Sequence, residues 1–174
     1  MKMPFSIGKD MYERIIHPIK PLYDENSKIL ILGSFPSQKS RQQVFFYGHP
    51  QNRFWKLLAL ILDADVPTSV DEKKEFLLSH NIALWDVISS CDINGSSDSS
   101  IKNVVPNDLS VILDNADIKS IFTNGKAAQK FYDKYLKEKF GDAQCLPSTS
   151  PANAAWNIEK LYSEWKKILI SLQQ

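Results

Sequence analysis

Short, unbroken apolar runs along the chain predict buried β-strands. Two such runs cover 28–33 and 82–87, and both are rich in isoleucine, leucine or valine. The segments 119–123 and 143–146 are shorter but similar in character. Runs of this length, bounded by turn residues such as Gly33, are typical of strands buried in a parallel sheet. We therefore expect four strands, each leaving the sheet into a loop.

Segments with helical spacing of apolar residues lie between and after these strands. The last one places apolar side chains three and four positions apart from Ile158 to Leu172. Strands that alternate with helices are typical of a parallel sheet covered by helices. The pattern predicts an α/β fold, a three-layer sandwich whose central, mainly parallel four-stranded sheet is flanked by helices. The predicted helices cover 52–62, 71–79, 107–115, 126–139 and 154–172.

The same pattern bears on domain organisation and on the place of a functional site. No repeat, low-complexity tract or linker divides the chain, so we expect a single domain over 1–174. Residues 1–27 are polar with scattered prolines and predict an irregular lead-in. Ligands bind parallel sheets outside the carboxyl ends of the strands. Unusual loops follow three predicted strands, at 33–37, 86–98 and 147–153, and we expect a site where they meet.

Composition narrows the class of protein. The 174 residues are 43% hydrophobic and 24% charged, which is typical of a globular domain and not of a disordered chain. The formal charge is only +1, so an argument for nucleic-acid binding must be local. Cys91 and Cys145 are too few and too far apart for a disulfide framework. The longest apolar run, 57–62, is too short to cross a bilayer. A cytoplasmic protein without membrane association is expected.

Several common chemistries lack their sequence motifs. The six glycines form no G-x-G pair, and neither a nucleotide phosphate-binding loop nor a serine-hydrolase elbow is present. There is no H-E-x-x-H motif. The isolated His17, His49 and His80 are more consistent with structural or surface roles than with metal binding. We therefore expect neither a metal nor a cofactor.

Positive charge and aromatic residues are concentrated around the first strand-end loop. From residue 27 to 62 there is no Asp or Glu, while lysine and arginine contribute a charge of +5. A local positive field can bind a phosphate backbone, and bases can stack on the neighbouring Phe45, Phe46 and Tyr47. The alternative is a solvated basic loop whose aromatic side chains form a small hydrophobic cluster. The basic residues are Lys28, Lys39, Arg41, Arg53 and Lys56.

Three motifs around the predicted site resemble those of a known family. Gly-Ser-Phe-Pro-Ser at 33–37, followed by His-Pro-Gln-Asn-Arg-Phe-Trp at 49–55, resembles the first motif of the uracil-DNA glycosylase superfamily. Leu-Pro-Ser-Thr-Ser-Pro-Ala-Asn at 146–153 resembles its second motif. The Gly-Ser-Phe-Pro-Ser version is most similar to that of the hypoxanthine-DNA (deoxyinosine) glycosylase branch. The resemblance implies an enzyme that flips a deaminated base out of DNA and hydrolyses its N-glycosidic bond.

The resemblance assigns the catalytic role to Asn52. Relatives carry Asn or Asp at the position of Phe35, and a benzyl group cannot orient water. Asn52, which we place in the first turn of the helix 52–62, is then the candidate that holds the attacking water through its amide oxygen. Alternatively, Asn52 only satisfies backbone groups at the helix start.

The resemblance also implies a base-binding set of Gly33, Ser34, Phe35, Tyr47 and Asp86. Tyr47 takes the place of the aromatic residue that stacks on the flipped base, or is a half-buried loop tyrosine. Backbone N–H groups of 34–37 are expected to approach a base oxygen beside Gly33. Asp86 would accept a hydrogen bond from the ring N–H of hypoxanthine or uracil and repel the bare nitrogen of adenine. Asp86 could instead be structural, and Asp98 is a fainter candidate for the same role.

A further group is expected to contact DNA around the extruded nucleotide. Small hydroxyl groups suit phosphate binding, and cations suit the backbone. Ala152 stands where relatives carry a large apolar wedge and is too short to fill a base-sized gap. The alternatives are that Asn153 or another loop takes that role, or that the wedge is weak. The expected DNA-binding residues are Ser37, Lys39, Arg41, Arg53, Ser148, Ser150, Ala152 and Asn153.

The interpretation is thus a monomeric glycosylase that acts on DNA containing deaminated bases, with hypoxanthine as the expected base. The first alternative is a uracil- or mismatch-specific enzyme of the same superfamily. The second is a nucleic-acid-binding domain that has lost catalysis because Phe35 replaces the water-handling residue.

Overall fold

The computed structural model describes residues 11–174. In chain order the strands are β1 to β7 and the helices α1 to α8. The strands span Tyr12–Ile16, Ile29–Gly33, Ile82–Asp86, Ile88–Asn94, Lys102–Pro106, Ser120–Asn124 and Gln144–Leu146. The helices span Gln38–Gln43, Phe54–Ile61, Val70–Ser79, Ser110–Leu113, Lys126–Tyr135, Lys137–Phe140, Ile158–Trp165 and Ile168–Leu172.

The central sheet contains the four strands that the apolar runs predict. Its order is β3-β2-β6-β7, and all three strand pairs are parallel. Every residue of β2 and β3 is buried, because helices cover the sheet and leave no polar face on these strands. The register places Gly33 beside Asp86, at the carboxyl ends of β2 and β3. The prediction of a three-layer α/β fold with a parallel four-stranded sheet is confirmed.

A second, antiparallel sheet was not expected from the sequence. Its order is β1-β4-β5, and β4 follows β3 after the single residue Val87. The prediction of an irregular lead-in over 1–27 is wrong for β1, which pairs along its whole length with β4, and residues 1–10 lie outside the described part. The segment 86–98, expected to be a loop, is mostly β4. These strands alternate polar and apolar residues only in part, so the sequence signal was weak.

The helices flank the central sheet, but several of their bounds differ from prediction. α3 packs against β3, α5 against β6 and β7, and α8 against β2. The extra helix α1 lies in the expected loop after residue 37. The predicted helix 107–115 shortens to α4, and 126–139 divides at Leu136, whose φ of −122° interrupts the helix.

The last predicted helix, 154–172, begins later and divides into two. Asn157 caps α7, because its side chain accepts a hydrogen bond from the Lys160 N–H, so residues 154–157 form turns before it. The chain between α7 and α8 comprises only Lys166 and Lys167. In the part of the chain that the structure describes, no helix combines the length and apolar character that a membrane span requires.

Candidate functional site

A cavity of about 500 Å³ opens at the carboxyl ends of the central strands. Its walls come from the loops after β2 and β7, from the segment 46–52, and from the turn that contains Asp98. The three strand-end loops named from the sequence do meet here, although only the ends of 86–98 contribute. This volume is within the range of pockets that bind small ligands.

The floor of the cavity is formed by the Asp86 carboxylate. Gly33 has no side chain, and an added Cβ would lie 2.3 Å from Asp86 Oδ1 and 3.1 Å from the Tyr47 hydroxyl. The role expected for Gly33 is to let the backbone approach a base oxygen. The structure shows a second role, because the missing side chain leaves room for the Asp86 carboxylate and the Tyr47 hydroxyl.

His17 supports Asp86 from behind. The distance between His17 Nε2 and Asp86 Oδ2 is 2.7 Å, and both side chains are at most 4% exposed. The Asn107 side chain donates to the Asp86 backbone carbonyl and holds the same strand end. His17 was interpreted as isolated, since the sequence does not reveal that β1 brings it to the end of β3.

Tyr47 lines the cavity and stacks on Phe54. The two ring centroids are 4.1 Å apart and the planes are inclined by 24°. The hydroxyl oxygen is buried and has no hydrogen-bond partner among residues 11–174. Burial raises the pKa of this hydroxyl well above its ordinary value, and the nearby Asp86 adds to the effect. Tyr47 therefore offers a neutral hydroxyl donor within the cavity.

Phe35, Phe45 and Phe46 are buried in the core. Phe35 packs edge-on against His17, with Arg41 above its ring, and Phe45 stacks on Trp55. The expectation that Phe45 and Phe46 form a stacking surface for bases is wrong, because both rings fill the hydrophobic core. Phe35 and Phe46 contribute to the apolar wall of the cavity.

Asn52 lines the cavity but is already engaged through its amide oxygen. Oδ1 accepts hydrogen bonds from the Phe54 N–H at 3.0 Å and from the Thr149 hydroxyl at 2.8 Å. Asn52 lies two residues before α2 begins, not in its first turn. Because these two donors occupy both lone pairs, the expectation that Oδ1 holds a water is not supported. Nδ2 has no acceptor among the described residues and is the group left for a ligand.

A directional hydrogen-bond chain sets the orientation of Asn52. The Asn124 amide at the end of β6 donates to the Thr149 hydroxyl at 3.0 Å, and that hydroxyl donates to Asn52. The Thr149 N–H donates back to Asn124 Oδ1 at 3.0 Å. Asn124 and Thr149 were both missed from the sequence. The position of Asn124 directly after the apolar strand 119–123 was the available signal.

The loop after β2 presents several unpaired donors to the cavity. The backbone N–H groups of Ser34, Phe35 and Ser37 donate to no other group in the part of the chain described. Ser34 Oγ donates to Asp98 Oδ1 at 2.7 Å. Asp98 is exposed as a whole residue, yet burial of its carboxyl group raises its pKa, and the charge of Asp86 contributes in the same direction.

Two of the expected DNA-binding cations have structural contacts within the protein. Four of the five N–H groups of Arg53 donate to backbone carbonyls of the loop after β7, so Arg53 holds this loop. Arg41 donates to the carbonyls of Pro36 and Gly95 and joins two loops at the rim. A direct phosphate contact by either arginine stays a prediction, and it falls to the N–H groups that these bonds do not use. Lys39 is exposed beside the cavity and forms no ion pair within the described chain.

The loop after β7 keeps its hydroxyl hydrogens available. Ser148 Oγ accepts from the Ser150 N–H, and Ser150 Oγ accepts from the Ala152 N–H. Neither hydroxyl donates within residues 11–174, so both O–H groups can bind an anion. The Asn153 side chain donates to the Ser148 carbonyl and braces the loop. Ala152 is exposed at the rim.

Ser37 has a local structural task. Its hydroxyl caps α1 by accepting from the Ser40 N–H at 3.2 Å, and it also donates to Ser40 Oγ. His49 lines the cavity, and its Nδ1 accepts from the Gln51 N–H. Among the described residues, no group of three or more His, Cys, Asp or Glu side chains could hold a metal ion.

Comparisons with known proteins show which family the chain is similar to. The family model described as the uracil DNA glycosylase superfamily matches residues 20–173. The chain is 36% identical over 135 residues to the hypoxanthine DNA glycosylase of Methanosarcina barkeri, which covers 76% of this chain and 85% of that protein. It is 36% identical over 147 residues to the hypoxanthine DNA glycosylase of Methanosarcina acetivorans, covering 83% and 92% respectively.

A solved structure shows the same fold. It is a solution NMR structure, from Methanosarcina acetivorans, of a protein assigned as a uracil DNA glycosylase. It superimposes with a TM-score of 0.77 at 31% identity, covering 92% of this chain and 100% of that one. With a family model over most of its length and two relatives above 30% identity, the chain belongs to the uracil DNA glycosylase superfamily.

Proposed function

We propose that the protein is a DNA repair glycosylase that removes hypoxanthine by hydrolysing its N-glycosidic bond. The observation that carries this proposal is the Asp86 carboxylate on the floor of a nucleobase-sized cavity, beside the neutral hydroxyl of Tyr47. The names of the two Methanosarcina relatives support the choice of base. The substrate is then DNA that contains deaminated bases.

Asp86 supplies discrimination between bases. Hypoxanthine carries a hydrogen on N1 next to the carbonyl at C6, whereas N1 of adenine is a bare lone pair. Asp86 Oδ2 is occupied by His17, and Oδ1 accepts no hydrogen bond within the described chain. Oδ1 can therefore accept the N1–H of hypoxanthine and repels the lone pair of adenine. The Tyr47 hydroxyl and the N–H groups after β2 are the donors available to the base carbonyl.

The reaction proceeds by loss of the base and attack of water. Breaking the bond leaves positive charge on the sugar and negative charge on the base, as in glycoside hydrolysis. Donors around the base carbonyl stabilise the departing anion. In this proposal Asn52 positions the attacking water through Nδ2, because its oxygen is held by Phe54 and Thr149. A sugar cation is electrophilic enough to be attacked by a neutral, positioned water, and the proton that this water releases neutralises the departing base anion.

The flanking phosphates are held by neutral hydroxyl groups and one lysine. The free O–H groups of Ser148 and Ser150 face the cavity from the loop that Arg53 organises. Lys39 adds the positive charge from the opposite wall. Ser37 caps α1 and acts with Lys39 at the same helix start. Ala152 and Asn153 lie where DNA would meet the rim.

We expect the protein to work in the cytoplasm as a monomer and without a metal ion. The uracil-specific alternative is retained because uracil also carries a ring N–H next to a carbonyl. That N–H would satisfy Asp86 Oδ1 in the same way as hypoxanthine.

One assay tests the proposal. Oligonucleotides that contain a single hypoxanthine, uracil or adenine are incubated with excess protein, and abasic sites are cleaved with alkali. Strand scission at hypoxanthine supports the proposal, and scission at uracil alone favours the alternative enzyme. Binding without any scission indicates a domain that has lost catalysis.

Two substitutions and one control test the proposed roles of Asp86 and Lys39. Asp86→Asn keeps the size of the side chain but removes the anionic acceptor, and it should slow hypoxanthine excision by about tenfold or more. Lys39→Ala should weaken DNA binding and lower its salt dependence by about one phosphate contact. Lys139→Ala is the matched control, because Lys139 is also an exposed lysine but does not line the cavity and pairs with Asp108.

A further inference from the structure

His17 is a buried titratable residue that the reaction outlined above does not use. It follows β1, and its backbone N–H donates to the Ser89 carbonyl at 2.7 Å. Its ring packs at a steep angle against Phe35 and Trp85. These contacts fix both the position and the plane of the imidazole next to the end of β3. A solvent-exposed histidine would not be held in this way.

The hydrogen bonds of His17 settle its tautomer. Nδ1 accepts from the Ile19 N–H at 3.1 Å, so Nδ1 carries no proton. The proton of the neutral ring therefore sits on Nε2, which donates to Asp86 Oδ2 at 2.7 Å. The backbone of β1 and its following turn thus aim a single N–H donor at one oxygen of one carboxylate.

This donor matters because Asp86 is almost fully buried. A buried carboxylate needs hydrogen-bond donors, because it has lost the water that would otherwise satisfy its oxygens. The titratable groups that face Asp86 are His17, the Tyr47 hydroxyl and Asp98. His17 is the group among these three that donates to the carboxylate in the structure.

We propose that His17 is a positioning residue for base specificity, which fixes the Asp86 carboxylate and turns its free oxygen, Oδ1, towards the base. This inference rests on the proposed function of Asp86 as the acceptor for a ring N–H. The hydrogen bond from His17 to Oδ2 leaves Oδ1 as the oxygen that can meet the N1–H of hypoxanthine. Without the imidazole donor the carboxylate is free to rotate, and Oδ1 no longer has a fixed direction.

Two substitutions separate this role from simple packing. His17→Leu fills the space without a donor, whereas His17→Gln keeps an N–H that can reach Asp86. The readout is single-turnover excision of hypoxanthine and of adenine, from which the preference between the two bases is calculated. Circular dichroism and thermal melting establish that each variant is folded.

His17→Leu is expected to slow hypoxanthine excision at neutral pH by about tenfold or more. Its preference for hypoxanthine over adenine falls, because the acceptor Oδ1 is no longer held towards N1 of the base. His17→Gln is expected to keep both the rate and the preference of the wild type. A merely structural role would alter stability but would change neither the preference between the two bases nor its rescue by His17→Gln.

The outcomes are distinguishable. If the wild type excises no base, the proposed function fails. If the wild type is active and folded His17→Leu keeps the same rate and the same preference, the role of His17 is refuted. If His17→Leu does not fold, His17→Gln still decides, because a folded His17→Gln that loses hypoxanthine excision also refutes it.

Discussion

Replacing Gly33 by alanine tests whether the floor of the cavity is as close-fitting as the structure indicates. An added Cβ would lie 2.3 Å from Asp86 Oδ1, about 1.1 Å inside the 3.4 Å at which ordinary van der Waals contact begins. The neighbour on the other side, the Tyr47 hydroxyl, would be at 3.1 Å. Asp86 must therefore move, because the backbone of β2 is held on both sides by β3 and β6.

The size of the effect follows from that displacement. A shift of about 1 Å would stretch the 2.7 Å hydrogen bond between His17 and Asp86 beyond its useful range of roughly 3.2 Å. Misplacing a group at a reacting site by 1 Å lowers rates by about a hundredfold. Inserting a methyl group into a packed site also costs about 1–3 kcal/mol of stability. We expect Gly33→Ala to fold with reduced stability and to lose about a hundredfold in excision.

The assay is single-turnover excision of hypoxanthine, with urea unfolding measured on the same preparations. Gly48→Ala is the control, because its Cβ would lie equally close, at 2.4 Å, to Gln43 Oε1. That atom is the end of a flexible, exposed side chain that can move aside. A Gly33→Ala variant that excises hypoxanthine at the wild-type rate would falsify the arrangement of Gly33 and Asp86 described above.

Four further predictions concern the site and the core. Asn52→Ala should slow excision about a hundredfold or more and lower the free energy of unfolding by about 1 kcal/mol, because the cap of the helix start is lost. Asn52→Asp should stay folded but remain slow, because it keeps the oxygen acceptor and lacks the N–H donor. Rapid excision by Asn52→Asp would contradict the role of Nδ2. Arg53→Lys should lower the free energy of unfolding, measured in urea, by about 2–4 kcal/mol, because an ammonium group cannot reach four carbonyl oxygens. An unchanged urea midpoint would contradict the role of Arg53 in holding the loop after β7. Because the pKa of Asp98 is raised in the folded state, ionisation of this carboxyl group destabilises the fold as the pH rises through that pKa. The melting temperature of Asp98→Asn should therefore exceed that of the wild type at pH 7, and the difference should vanish below the ordinary pKa of Asp. The opposite trend in melting temperature across the pH series would contradict the burial of the carboxyl group. Burial raises the pKa of Cys91 to about 11, whereas Cys145 is exposed. A thiol reagent at pH 8 should therefore modify one cysteine in the native protein and two in denaturant. Two reactive thiols under native conditions would contradict the packing around Cys91.

The parallel sheet was predictable because burial on both faces leaves an unmistakable apolar run. β2 and β3 are examples, since all ten of their residues are buried. β1 and β5 were not predictable, because they are mostly exposed and their short sequences have no clear alternation. They form strands because β4 lies between them as a pairing partner, which is a tertiary effect.

The site was predictable only where motifs carry it. One cavity is lined by the residues that the motifs named, which are Gly33, Tyr47, Asn52, Asp86 and the serines of the last loop. The motifs did not predict which polar atoms of these residues are free to bind a ligand. The pairing of His17 with Asp86 could not be read from the sequence, because 69 positions separate them. The structural roles of Arg41 and Arg53 could not be predicted either, because most of the carbonyl groups that they bind are distant in the sequence. A positive charge in a sequence gives no indication of whether carbonyl oxygens or phosphates will receive its hydrogen bonds.

The grip of Arg53 on the loop after β7 has a consequence for how this family can change. A guanidinium that binds main-chain carbonyls recognises the path of the chain and not its side chains. Substitutions at Ala152, which has no side-chain polar group and is exposed at the rim, can therefore accumulate without loss of the loop shape. New preferences for the surroundings of a damaged base can evolve there while the catalytic groups stay in place.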